Sequence, residues 1–259
     1  MVHVSLTWRS IALDMDTKVD VLLPEDRHTR VDISNQKHPV LYILHGSKED
    51  NSSWVNLSNI FLMCRDLDLI VVMPSVGLSV YNDMVYGQKY YTYISEELPE
   101  KMANYFPISK EPKDNFIMGE SMGGYGTLRM VLSKPENYGK AVCLSGGNFI
   151  EFLNKEFTPL QVGVFGSKEE YLHSDANLDN LIVKYEKCSN KPEIIFYCGT
   201  DDHVYPVCKS FYDTMEKKFP DKIKGEFWPG EHNFFFWNQA IPKALKEFGF
   251  EVVTNSQSV

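Results

Sequence analysis

Three groups of residues carry the strongest chemical signal in this sequence. They are Ser121 within Gly119-Glu-Ser-Met-Gly123, two carboxylates in Cys198-Gly-Thr-Asp201-Asp202, and His232 within Trp228-Pro-Gly-Glu-His-Asn-Phe. A serine hydroxyl is a weak nucleophile until a base takes its proton; an imidazole can be that base, and a carboxylate can fix its tautomer and stabilise its cation. Such a set could attack a carbonyl carbon and carry an acyl group on the serine oxygen. The bare G-x-S-x-G pattern says little alone, because three fixed positions at ~7% each match somewhere in such a chain roughly one time in ten.

Context sharpens it. Asn115-Phe-Ile-Met118 reads as a buried strand and Thr127-Leu-Arg-Met-Val-Leu132 as a helix, so Ser121 falls on the strand, sharp turn and helix of a nucleophile elbow. Side chains two positions either side would crowd such a turn, which Gly119 and Gly123 avoid. The helix that starts there aims backbone N–H groups and its positive end at charge forming near Ser121. The bland alternative is a glycine-rich turn with an idle serine.

Nucleophiles on such elbows find their partners later in the chain, acid before histidine. Only His173, His203 and His232 follow Ser121, and His232 alone sits on a turn between a strand, Glu226-Phe-Trp228, and the last helix. A lone loop histidine is otherwise an ordinary solvated side chain. Asp202 is the expected acid and Asp201 the alternative, unless both merely cap the next helix. The oxyanion donors are expected to be the N–H of Met122 and, after Leu41-Tyr-Ile-Leu-His45-Gly46, that of Ser47, because Gly46 lets the backbone turn inward. His45 is expected to be structural. The aromatic runs Tyr90-Tyr-Thr-Tyr93 and Phe234-Phe-Phe-Trp237 read as core, with Trp54 and Trp237 as the candidates for substrate contact because each neighbours a site loop.

These groups need elements to hold them. Val2, Val4, Leu6 and Trp8 alternate with polar residues, as do Val19, Val21 and Leu23, which predicts an antiparallel hairpin turning at Asp14 to Asp16. The runs Pro39–Leu44, Leu69–Met73, Asn115–Met118, Ala141–Leu144 and Ile194–Cys198 are nearly continuous and apolar, the mark of parallel strands buried on both faces. Helical spacing lies between them, over Leu57–Arg65, Ile94–Tyr105, Gly124–Leu132, Val207–Lys218 and Gln239–Phe248. The expectation is an α/β fold: a mostly parallel sheet with an antiparallel N-terminal hairpin and helices on both faces, forming one domain over 1–259. The segment 149–191 breaks the rhythm and reads as a cap-like insertion over the strand ends, or as a longer helical connection.

Composition narrows the chemistry further. The 259 residues are 43% hydrophobic and 24% charged with a formal charge of −9 and both signs interspersed, which leaves no basic footprint for nucleic acid or anionic membrane. The expected partner is a small neutral molecule. Five widely spaced cysteines without a C-x-x-C pair suggest reduced thiols in the cytoplasm. There is no apolar run long enough to span a membrane and no basic start before an apolar run. No H-E-x-x-H, phosphate loop or G-x-G-x-x-G appears, so no metal or cofactor is expected.

Taken together, Leu-His-Gly after the third strand, Met73-Pro-Ser, the tyrosine-rich stretch ending in Glu96-Glu-Leu-Pro99, Gly-Glu-Ser-Met-Gly-Gly-Tyr-Gly, Cys-Gly-Thr-Asp-Asp and Gly-Glu-His-Asn-Phe-Phe-Phe-Trp resemble the tributyrin esterases of the esterase D group of α/β-hydrolases. S-formylglutathione hydrolases and the acetyl and feruloyl esterases of carbohydrate esterase family one belong to the same group. The resemblance spans nearly the whole chain. It implies hydrolysis of short-chain acyl esters without a cofactor, Ser121, Asp202 and His232 as triad, and Ser47 and Met122 as oxyanion donors. It leaves open a thioesterase or acyltransferase, an inactive binding protein on the same scaffold, and association into a homo-oligomer. One departure counts against S-formylglutathione: relatives that act on it usually carry Ser-Gly-Leu where this chain has His45-Gly46-Ser47.

Overall fold

In the alternating N-terminal segment, Val2–Ser10 (β1) and Met15–Leu23 (β2) pair antiparallel in unbroken register from Val2 opposite Leu23 to Ser10 opposite Met15. These strands belong to a computed structural model that describes residues 1–25, 36–149 and 156–252. The turn falls at residues 11–14, slightly before the position the sequence predicts. Glu97 fixes it there by accepting hydrogen bonds from the Ser10 hydroxyl and the Ile11 and Ala12 amides.

The apolar runs become Val40–Leu44 (β3), Ile70–Pro74 (β4), Asn115–Glu120 (β5), Lys140–Leu144 (β6), Glu193–Gly199 (β7) and Ile223–Trp228 (β8). The sheet order is β1-β2-β4-β3-β5-β6-β7-β8. β2 meets β4 antiparallel, and every pairing from β4 to β8 is parallel. Successive strand residues face opposite sides, and here both sides are apolar. Val40, Tyr42 and Leu44 enter one core cluster, while Leu41 and Ile43 enter the other. Fully burying each such side chain contributes about 1.5–3 kcal/mol, so the sheet needs helices on both faces.

On one face lie Tyr90–Thr92 (α3, after Ser53–Leu57, α1, and Ile60–Cys64, α2), a π-helical turn Tyr93–Glu97, Leu98–Tyr105 (α4) and Met122–Ser133 (α5). α1 and α2 cover the other face together with the last helix, Phe234–Glu247 (α10). Where the sequence predicts one helix over Leu57–Arg65 there are two short ones. Ser58 breaks them: its backbone is extended, its hydroxyl donates to the Trp54 carbonyl, and it accepts from the Ile60 amide.

Between β6 and β7 the described residues form Pro159–Phe165 (α6), Lys168–His173 (α7) and Leu178–Lys187 (α8), and Tyr205–Lys218 (α9) follows β7. Thr158 with Gln161 and Ser167 with Glu170 form reciprocal capping boxes that start α6 and α7. α8 is an ordinary crossover helix, burying Leu178, Leu181 and Tyr185 in the same cluster as α5. Arg129 of α5 ties the preceding turn down: its guanidinium donates to the carbonyls of Tyr81 and Asp175 and stacks on Tyr91. The Tyr125 hydroxyl donates to the Ala176 carbonyl at 2.6 Å. Residues 150–155 of the expected insertion lie outside the described residues. No helix among the described residues is long and apolar enough to cross a membrane.

Candidate active site

The site forms at the carboxyl ends of β3, β5, β7 and β8, where parallel sheets leave a crevice between connections that depart in different directions. β5 ends at Glu120, and Ser121 follows at φ 56°, ψ −116°, before α5 begins. A non-glycine residue in this region is strained. Its neighbours show why the turn is kept: a Cβ on Gly119 or Gly123 would come closer than 3.0 Å to the Gly123 carbonyl or to the Leu44 carbonyl of β3. Only glycine lets β5, α5 and the end of β3 approach so closely.

His232 reaches the elbow from the loop after β8. Its Nε2 lies 2.9 Å from Ser121 Oγ, and its Nδ1 lies 2.8 and 2.9 Å from the two carboxylate oxygens of Asp202. Two loops are zipped to make this contact: Thr200 N–H donates to the Trp228 carbonyl at 2.9 Å and Asp201 N–H to the Gly230 carbonyl at 3.1 Å. Asp201, the alternative acid, accepts from the Gly230 amide and does not touch the imidazole. Asp202 is buried. Burial alone raises its carboxyl, but hydrogen bonds from His232, the Val204 amide and Ser145 outweigh this and hold it below the usual aspartate range.

The arrangement can move a proton from Ser121 to His232 while Asp202 steadies the imidazolium. A cavity of about 280 Å³ opens on it, lined by Ser47, Val80, Ser121, Met122, Phe149, His203 and Val204. Met122 opens α5, so its N–H has no earlier helical turn to bond. Ser47 N–H makes no backbone hydrogen bond among the described residues. His45, by contrast, is buried and committed, its Nδ1 2.7 Å from the Gly46 carbonyl and its Nε2 accepting from Val76 N–H at 3.0 Å.

The two tryptophans expected near the substrate sit outside the cavity wall. Trp54 and Trp237 do not line the cavity; both are buried, because an indole N–H in the interior needs an acceptor and each finds one there. Trp54 Nε1 donates to the Leu44 carbonyl at 3.2 Å, and Trp237 Nε1 to Ser145 Oγ at 3.1 Å. Instead the walls include Val80, itself at φ 51°. His203, which the sequence sets aside, stands with its ring 4.6 Å from that of His232. No local pattern marks Val80. His203 was legible only as the residue after the acid. Asp202, His203 and His232 could together present three ligating atoms to a metal ion, but a cation there would compete with the Ser121–His232–Asp202 bonds.

Comparison with known proteins places the chain among esterases. A family model described as an esterase family matches residues 10–248. An acetyl esterase of Caldicellulosiruptor saccharolyticus is 25% identical over 260 residues, covering 95% of this chain and 97% of that protein. FphF, a fluorophosphonate-binding serine hydrolase of Staphylococcus aureus, superposes with a TM-score of 0.86 at 29% identity, over 96% of this chain and 99% of that one. The S-formylglutathione hydrolase FrmB of Staphylococcus aureus gives 0.84 at 28% identity, over 95% and 98%.

Proposed function

Because the chain belongs to this esterase family and is a serine esterase, we propose that it hydrolyses short-chain acyl esters through an acyl-enzyme on Ser121. His232 Nε2 takes the hydroxyl proton as Oγ adds to the ester carbonyl, and the amides of Ser47 and Met122 hold the resulting oxyanion. The imidazolium then protonates the departing alcohol as the carbon–oxygen bond breaks. Water attacks the acyl-enzyme in the second half, with the same histidine as base, and restores the free serine and the acid. The observation that carries this reading is the continuous Ser121–His232–Asp202 chain, with its 2.9 Å contact between Nε2 and Oγ.

The cavity is consistent in size with a small acyl group. At about 280 Å³ it falls just below the ~300–1,000 Å³ of sites for drug-sized ligands, room enough for acetyl to butyryl groups. The acetyl esterase relative supports the same class. The runner-up is a thioester such as S-formylglutathione, which one structural neighbour hydrolyses by its name; the same serine serves either, and His45-Gly46-Ser47 is the feature that weighs against it. In this reading the chain is one domain, the described residues 156–177 ahead of α8 cap the acyl site, and the free thiols of its five cysteines suit a reducing compartment.

Ser121→Ala is expected to reduce turnover of p-nitrophenyl acetate by about 10³-fold or more, and to abolish labelling by a fluorophosphonate. Undiminished activity in this variant removes the assignment. A panel of acetyl, butyryl and feruloyl esters beside S-formylglutathione then ranks the substrates; strong preference for the thioester would replace the first choice by the second.

A further inference from the structure

Close in sequence to Ser47 and Met122, which line the cavity, stands a pair of carboxyl groups for which the acyl transfer has no use. Glu120 directly precedes Ser121 and is fully buried. Glu49 is half-buried, two residues after Ser47. The Glu120 carboxyl lies flat against Gly46, where an added Cβ would come closer than 3.0 Å to both of its oxygens. Both Glu120 oxygens and Glu49 Oε2 are buried without a hydrogen-bond partner if both groups are ionised. A proton on one changes this, because the two side chains are within bonding reach of each other.

The Gly46 amide lies beside both carboxyls and lowers each, but a single N–H does not neutralise two charges. Neither carboxyl forms an ion pair with a lysine or arginine among the described residues. Tyr81 faces both, with its hydroxyl already donated to the His45 carbonyl at 2.8 Å. His45 is held neutral chiefly by burial, and Asp50 adds a further negative charge near Glu49. Of the groups able to become a cation, His232 is the one that acts on Glu49, and catalysis makes it a cation when it takes the Ser121 proton. Two buried carboxylates in such a place cost far more than one carboxylate bonded to one acid.

We propose that Glu49 and Glu120 share a single proton, and that this acid–carboxylate bond positions the oxyanion hole by tying the Ser47 loop to the Ser121–Met122 turn. Glu120, the more deeply buried, is the donor and Glu49 the acceptor. Burial and the neighbouring Glu49 charge both push the Glu120 carboxyl far above the ordinary glutamate range, so the bond persists through neutral pH. When alkali removes the proton, the carboxylates repel across Gly46 and the Ser47 amide leaves its place. The loss titrates with an apparent value belonging to the pair rather than to either residue.

The kinetic arm of the test rests on the Ser121 reading; the spectroscopic arm does not. Among the described carboxyls with a displaced titration, only Glu49 and Glu120 are raised; Asp16, Asp50, Glu97, Glu170, Glu193 and Asp202 are lowered. The wild-type enzyme should therefore show the infrared C=O stretch of a protonated carboxyl at neutral pH. That band should bleach over the same alkaline range in which kcat for p-nitrophenyl acetate falls while KM changes little. Glu120→Gln replaces the acid by an amide that still donates to Glu49 but does not titrate. It should lack the band, lose the alkaline fall in kcat, and stay within about tenfold of wild type at neutral pH, whereas Glu120→Ala loses about 100-fold in kcat.

A wild-type spectrum without the band, or a Glu120→Gln profile that retains the alkaline fall, overturns the proposal. A purely space-filling role predicts that second result. Should Glu120→Gln fail to fold, the wild-type titration still decides: a band that bleaches apart from the kcat limb overturns it equally. Should Ser121→Ala remain active, the catalytic assignment fails while the infrared measurement still reports on the pair.

Discussion

Ser145 shows how far the acid's setting extends beyond the residues that react. It stands at the end of β6 at φ 48°, fully buried, with its hydroxyl within reach of Asp202 and its oxygen accepting from Trp237 Nε1. Ser145→Ala removes one of the bonds that hold the Asp202 carboxyl low. A hydrogen bond to a charged group contributes about 1.5–3 kcal/mol, so kcat is expected to fall about 10- to 100-fold with KM nearly unchanged. The sign for stability follows from the direction of the shift. A carboxyl lowered in the folded state stabilises it above the unfolded value and loses that contribution as pH falls through the folded one. Acid unfolding of Ser145→Ala, followed by circular dichroism, should therefore set in at higher pH than in wild type; an unmoved midpoint argues against the bond. None of this was legible in the sequence, where Ser145 is one small residue before two glycines. Ser121, Asp202 and His232 were legible, because each occupies a slot defined by the strand before it. Nearness in sequence to a site loop did not tell that the rings of Trp54 and Trp237 are buried, Trp237 edge-on against His232.

At the level of elements, the strands announced themselves because both faces of the sheet are apolar, which leaves nearly unbroken hydrophobic runs. Helix ends were harder. Sequence spacing starts the last helix at Gln239, yet α10 begins at Phe234, because the Asn233 side chain accepts from the amides of Phe235 and Phe236 and caps the helix earlier. The elbow depends on close packing of β3, β5 and α5. A methyl group on Gly123 would press into the end of β3 at the Leu44 and His45 carbonyls, where the neighbour is backbone and cannot yield cheaply. Gly123→Ala is expected to cost at least about 1–3 kcal/mol, measurable as a lower urea midpoint. Because the same shift moves Ser121 and the loop that bears Ser47, labelling by a fluorophosphonate should slow more than stability alone explains. Equal loss in both would show that the glycine serves folding only.

Across the whole molecule, the groups brought together come from four strands, and those strands are not equally secured. β3, β5 and β7 each pair on both sides, while β8 closes the sheet and pairs with β7 alone. Most of its residues are at least partly accessible, and edge segments open locally at lower cost than central ones. The imidazole that must meet Ser121 hangs from the loop after this strand. Heating should therefore abolish hydrolysis before it abolishes the far-ultraviolet circular dichroism, with about 1 kcal/mol of difference corresponding to roughly 2–4 °C between the midpoints. Coincident curves would mean that β8 is as firmly held as the centre. The practical consequence concerns shelf life: an enzyme that wears out from its rim is expected to be hardened by stitching down the outermost ribbon, while better filling of the middle would protect a shape that has already stopped working.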